Sequence, residues 1–132
     1  MLLNAPVPKV EILNPDESRP SIHLNELLAQ VRLDESKGET FLTEKIILAM
    51  DNINDQTLCL EIQNSWQIRY YKRAVCYEAA ALICEDNLDF DTTTAGQIRG
   101  ENQQVKTQAL RRVVNHCIGM LNKRQRNRIK LV

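Results

Sequence analysis

Long apolar runs are missing from this sequence. No stretch approaches the roughly 20 apolar residues that a membrane-crossing helix needs, and Met1-Leu2-Leu3-Asn4 has neither the basic start nor the apolar run of a signal peptide. A soluble, cytosolic chain is expected. Glycine is scarce, with four in 132 residues, and neither G-x-x-x-x-G-K nor G-x-G-x-x-G occurs, which argues against a phosphate-cradling loop. Histidine occurs twice, at His23 and His116, and Cys59, Cys76, Cys84 and Cys117 are scattered without a C-x-x-C pair. That pattern argues against a metal site and fits free cysteines packed as small hydrophobes in a reducing compartment. Neither histidine has a Ser, Cys or Asp motif around it that would orient a nucleophile. The carboxylate pairs Glu85-Asp86 and Asp89-x-Asp91 read as helix-end and cap residues. No catalytic, metal-binding or cofactor-binding residue is expected, and the chain does not read as an enzyme.

Proline is absent after Pro20. Pro6, Pro8, Pro15 and Pro20 all fall in the first twenty residues, where each fixes its own φ and removes a backbone donor. The segment 1–20 therefore reads as an extended N-terminal arm. Its Val7, Val10, Ile12 and Leu13 could dock against a neighbour, although a mobile terminus is the blander reading.

What the chain does contain is ordinary globular composition, 43% hydrophobic and 26% charged, in a length that suits one domain. Its formal charge of zero hides a division. From Ile98 to Val132 there are nine basic residues and the single acid Glu101, so that segment is +8 and the first 97 residues are −8. Such a molecule can stack head to tail or offer its basic end to an acidic partner.

The periodicity predicts an all-α domain over 21–122, a four-helix bundle-like arrangement. Ser21 can cap a first helix ending near Leu33, with Leu24, Leu27, Leu28 and Val31 on one stripe. After the polar turn 34–39, Thr40 can cap a second helix running to about Asn64, with Leu42, Ile46, Ala49, Met50, Ile53 and Leu60 on one face and Glu44, Asp51 and Asp55 opposite. The third helix, about Gln67 to Asn87, is apolar on two sides. One stripe is Ile68, Tyr71, Val75, Ala79 and Leu82; the other is Tyr70, Ala74, Tyr77, Ala81, Cys84 and Leu88. Either this helix is central in the monomer or one stripe, containing Tyr70, Ala74, Tyr77 and Ala81, faces another subunit. The fourth helix, about Ile98 to Asn122, has an apolar arc of roughly 200°, including Val105, Ala109, Val113 and Met120, and reads as deeply packed. Residues 123–132 then form a basic C-terminal tail. Drawn as an extended chain, Arg124, Arg126, Arg128 and Lys130 point one way and Asn127, Ile129 and Leu131 the other, a pattern suited to strand addition on a partner, with a solvated basic tail as the alternative.

The run Tyr70-Tyr71-Lys72-Arg73-Ala74-Val75-Cys76, entering a long helix and followed by a loop, a helix and a short tail, resembles the head completion/stabilisation proteins of contractile-tailed temperate phages. Leu24-x-Glu26-Leu27-x-x-x-Val31-Arg32-Leu33-Asp34 is similar to the opening helix of head-tail connector adaptors generally. The resemblance implies a helical adaptor of the virion neck, assembled in the host cytoplasm as a twelve-membered ring beneath the portal protein. The ring offers a platform to the next neck or tail-terminator protein, and DNA passes through its channel without sequence-specific binding. By analogy with related adaptors, the portal contacts are Arg124, Arg126, Arg128, Ile129, Lys130, Leu131 and Val132, and the lateral contacts fall on the Tyr70, Ala74, Tyr77, Ala81 stripe. The face lining the channel is not assigned. Two other readings compete: a small nucleic-acid-binding regulator acting through its basic C-terminal third, and a host-directed or enzyme-inhibiting interaction protein.

Overall fold

The fold is that of a computed structural model, which describes residues 10–31, 38–88 and 94–130. Four helices carry it: α1 (Leu24–Gln30), α2 (Glu39–Gln56), α3 (Ser65–Leu88) and α4 (Thr94–Lys130). They are preceded by a two-residue antiparallel ladder of β1 (Glu11–Ile12) with β2 (Ile22–His23), in which Glu11 faces His23 and Ile12 faces Ile22. The chain is thus helical with a small hairpin, and its centre is α3, which packs against α1, α2 and α4.

The arm does not stand clear of the bundle between residues 10 and 23. Ile12 and Ile22 are buried in the common core, and the Leu24 amide donates to the Val10 carbonyl at 2.8 Å. Residues 1–9 lie outside the described part, so the expectation for Val7 does too.

Helix starts are set by reach-back side chains. His23 rather than Ser21 is the N-cap of α1. Glu26, three residues on, accepts the His23 backbone N–H at 3.2 Å, which satisfies a donor the helix leaves open. Gln67 repeats the device at α3, where its Oε1 accepts the Asn64 N–H at 2.9 Å and the Gln63 N–H at 3.0 Å. α2 starts from Gly38 and not Thr40; Gly38 sits at φ 84°, a conformation open to glycine at no steric cost.

α2 stops at Gln56, eight residues short of the expected Asn64. The Thr57 hydroxyl turns back onto the Ile53 carbonyl at 2.7 Å, and the Leu60 amide closes a turn on the Thr57 carbonyl at 3.0 Å. Leu60 remains a core residue, but from the linking segment rather than from the face of a helix.

α4 is the longest element, 37 residues, and it departs from expectation twice. It is helical through residues 123–130, which the sequence reading drew as an extended tail. Lys, Arg and Gln are good helix formers, no Gly or Pro interrupts them, and cations near a helix C-terminus are favoured by its dipole. Nor is it packed all along its apolar arc. Thr107, Leu110, Val114, Cys117 and Leu121 are buried at alternating spacings of three and four, a single seam lying on α3. Val105 is 67% exposed, Ala109 is exposed and Val113 is half-buried, and among the described helices only α3 packs extensively on α4.

Candidate functional site

Three parts of the molecule bear on what it could bind: the two stripes of α3, the polar clusters between helices, and the C-terminal end of α4.

Ala74 and Ala81 of the expected lateral stripe lie wholly inside the core of a single chain, along with Cys84. Since α3 has neighbours on several sides, both of its stripes find cover at home, and small residues there serve close helix packing. Only Tyr70 and Tyr77 of the four keep exposed surface. Tyr70 stands edge-on to Trp66 at 6.4 Å between ring centroids, and the Arg73 guanidinium lies 4.8 Å from the Tyr77 centroid.

The first polar cluster was not foreseen. Arg19, in the proline-rich arm, is 8% exposed and reaches the end of α2. Its Nη1 donates to Thr57 Oγ1 at 2.5 Å, and its Nη2 donates to the Thr57 and Leu60 carbonyls at 2.6 and 3.1 Å. It therefore brings positive charge and donors to the C-cap of α2 and the turn that follows, with Asp16 as its ion-pair partner at 3.3 Å. Beside it Asn14 donates to Tyr71 Oη at 2.7 Å, Tyr71 donates to Asn54 Oδ1 at 2.6 Å, and Asn54 donates back to Asn14 Oδ1 at 3.0 Å. The ring of three side chains is closed, and burial of Tyr71 raises its phenol pKa. The available signal was Asn14-Pro15-Asp16-x-Ser18, a sequence of turn formers. Asn14 Oδ1 accepts the Asp16 amide, and Asp16 Oδ1 accepts the Ser18 amide, each at 3.0 Å.

A second cluster joins three helices. Glu78, buried in mid-α3, accepts from Asn52 Nδ2 of α2 at 3.0 Å, while Arg111 Nη2 of α4 lies 3.7 Å from Glu78 and 2.7 Å from Glu85. Arg111 thus serves the α3–α4 contact. An open groove of about 630 Å³ runs alongside, lined by Glu85, Gln104, Gln108, Arg111, Arg112 and Asn115 among others. It lacks the enclosing apolar walls of a small-molecule site.

His23 lies between Glu26 and Glu11, at 3.1 and 3.4 Å, and His116 is exposed on α4. No group of three or more metal-ligating side chains occurs among the described residues. No described helix is long and apolar enough to cross a membrane.

At the C-terminal end, Arg124, Arg126, Arg128, Ile129 and Lys130 are on the helical backbone of α4, and Leu131 and Val132 lie outside the described residues. Register fixes where that end lies. Thr107 neighbours Cys84 and Cys117 neighbours Arg73, so α3 and α4 are antiparallel and residue 125 falls level with Ser65. The helix continues to Lys130, roughly 7 Å past the start of α3 at 1.5 Å per residue.

The family model described as phage head completion protein (GPL) matches residues 60–132, the linking segment and the α3–α4 hairpin. No curated protein and no solved structure matches.

Proposed function

The chain belongs to the phage head completion protein (GPL) family, and from that membership we propose that it works as a head-tail connector adaptor. Copies form a ring beneath the portal protein, dock through the basic C-terminal segment, and offer their other end to the next neck or tail protein. DNA crosses the ring without sequence-specific contact.

The observation that carries this reading is the continuation of α4 past the level at which α3 begins. A helical segment bearing Lys123, Arg124, Arg126, Arg128 and Lys130 forms that end of the chain's longest helix. A cationic helix end of this kind suits an acidic recess on a partner, and its arginines suit carboxylates. Helical geometry changes the mode of docking from strand addition to helix-in-groove. The nucleic-acid alternative is weakened by Arg111, whose guanidinium is engaged by Glu85 and Glu78 instead of facing outward for phosphate.

Deleting residues 124–132 tests the proposal. Binding to purified portal complexes, followed by co-sedimentation, is expected to fall at least roughly tenfold while the helical circular dichroism of residues 10–122 persists. Undiminished portal binding by the truncated chain would end the docking model.

A further inference from the structure

Two helix faces of this chain are apolar, exposed and oppositely charged. On α4, Val105, Ala109, Val113 and Met120 follow one another at helical spacing on the side turned away from the α3 seam, and they are exposed or half-buried. Lys106 flanks that stripe on one side and Arg112 on the other, both exposed. On α2, Ile47 and Leu48 are 38% and 43% exposed, on the side opposite the buried Leu42, Ile46, Met50 and Ile53. Glu44, Asp51 and Asp55 lie between them on that face at helical pitch, all exposed. Each face thus sets exposed apolar side chains among charges of one sign.

Within the chain neither face can cover the other, since α2 and α4 both pack on α3 and turn these strips away from it. Pairing a face with its own copy is disfavoured as well. Setting α4 against α4 brings Lys106 and Arg112 against like charges, and α2 against α2 does the same with three carboxylates. The combination that buries both strips and matches their charges is α2 of one molecule against α4 of the next.

We infer that the acidic outer face of α2 and the basic outer face of α4 form the lateral contact between neighbouring copies of this chain. The inference rests on the ring reading above and gives it an interface. Because the two patches differ, the contact is heterologous: each bound copy presents a fresh α2 face and a fresh α4 face, and repetition closes into a ring when the rotation permits. Tyr70 and Tyr77 are not needed for it, and the Ala74–Ala81 stripe remains core. Burial of Val105, Val113, Ile47 and Leu48 supplies the area, and the flanking charges set the register and reject the two like-with-like pairings.

Charge reversal on the full-length protein tests this. Four proteins are compared by sedimentation velocity and native mass spectrometry, alone and with purified portal complexes: wild type, Lys106→Glu/Arg112→Glu, Glu44→Lys/Asp51→Lys/Asp55→Lys, and the five-site combination. Wild type is expected to self-associate, each single-face reversal to weaken association at least roughly 100-fold, and the combination to regain it, because both signs are then inverted together. All the altered side chains are exposed, and circular dichroism monitors the fold. Should the triple reversal lose helical signal, Asp51→Lys alone carries the same expectation with a smaller shift. Reversals that leave rings intact on the portal overturn this interface and leave the ring reading standing, as does a combination variant that stays dissociated while wild type assembles. A wild-type protein that is monomeric with and without portal overturns both.

Discussion

The two halves of this molecule share one apolar core and differ in the polar fastening added to it. Residues 10–60 bring Ile22, Leu24, Leu27, Ile46, Met50 and Ile53 to that core and add side-chain ties: Arg19 on the end of α2, the closed ring of Asn14, Tyr71 and Asn54, and Glu26 joined to Lys72 of α3 at 3.2 Å. The α3–α4 hairpin is held by an apolar seam of Leu110, Val114, Cys117, Ile118 and Leu121 with a pair of arginine–carboxylate contacts at its edge. Hydrogen-bonded fastening is directional and costly to leave incomplete, whereas an apolar seam tolerates a change of side chain if volume is kept. The family match follows the same division, since it starts at Leu60 and covers the hairpin. The half that carries the family pattern is the one with the basic C-terminal end of α4, and the other half packs α1 and α2 on α3 and carries the acidic face of α2.

The sharpest way to break that comparison is at Arg19. Arg19→Ala removes a buried guanidinium and takes the charged donors from Thr57 Oγ1 and from the Thr57 and Leu60 carbonyls. A loss of about 2 kcal/mol in unfolding free energy is expected, the scale of leaving buried hydrogen-bonding groups without a partner. Urea denaturation followed by circular dichroism measures it. If the loss is under about 1 kcal/mol, the arm is held by its Ile12–Ile22 packing instead and the contrast between the halves disappears.

That cluster also marks the limit of what the sequence discloses. Helix number, the core faces of α1 and α2, and the absence of motifs for chemistry follow from periodicity and composition, because each depends on residues close in the chain. Arg19 could not be read as buried, since its partners lie 38 and 41 positions away and nothing local distinguishes it from a solvated arginine beside proline. The end of α2 was hidden for the same reason: Thr57 is unremarkable until Arg19 takes its carbonyl. The doubled stripe on α3 left open whether the helix is central in one chain or faces another subunit, since periodicity does not say what covers a face. Its small residues proved to be internal, and the exposed apolar strip was on α4, where a wide arc had been read as burial. An arc of apolar residues states how much surface needs cover, not whether the same chain provides it. The C-terminal residues alternate like a strand yet have strong helix formers throughout, and continuity with α4 favours the helix.

Thiol reactivity sharpens the comparison at intermediate scale. Cys76, Cys84 and Cys117 are buried in the hairpin half, while Cys59 is exposed in the turn after α2. Burial pushes the Cys76 thiol up to about 12, with Glu26 adding to the rise and Lys72 opposing it; burial also raises Cys84 and Cys117. Since the thiolate is the reacting species, alkylation of the native protein at pH 8 is expected to label Cys59 first. The other three should react more than roughly a hundredfold more slowly, limited by opening of the fold. Mass spectrometry of a time course reads the order. Early labelling of Cys117 would show that α4 separates from α3 on its own, and that the hairpin is the looser half.

The smallest effect concerns the charge that ties α1 to α3. Burial opposes ionisation of Glu26, but the His23 backbone N–H, Lys72 and the His23 ring together bring its pKa below the ordinary 4.5. A carboxylate whose pKa is depressed by folding binds protons more readily in the unfolded chain. Its stabilisation is therefore fully present above 4.5 and is lost as pH falls through the lower folded value. Solvent screens the pair, so the contribution is under about 1 kcal/mol. Glu26→Gln keeps the shape and removes the charge, and its unfolding free energy is expected to differ from wild type at pH 7 and to converge with it as acidification protonates Glu26 in the folded chain as well. A constant difference across that range would mean that Glu26 acts through its hydrogen bond to the His23 amide alone, and that the tie between α1 and α3 owes nothing to Lys72.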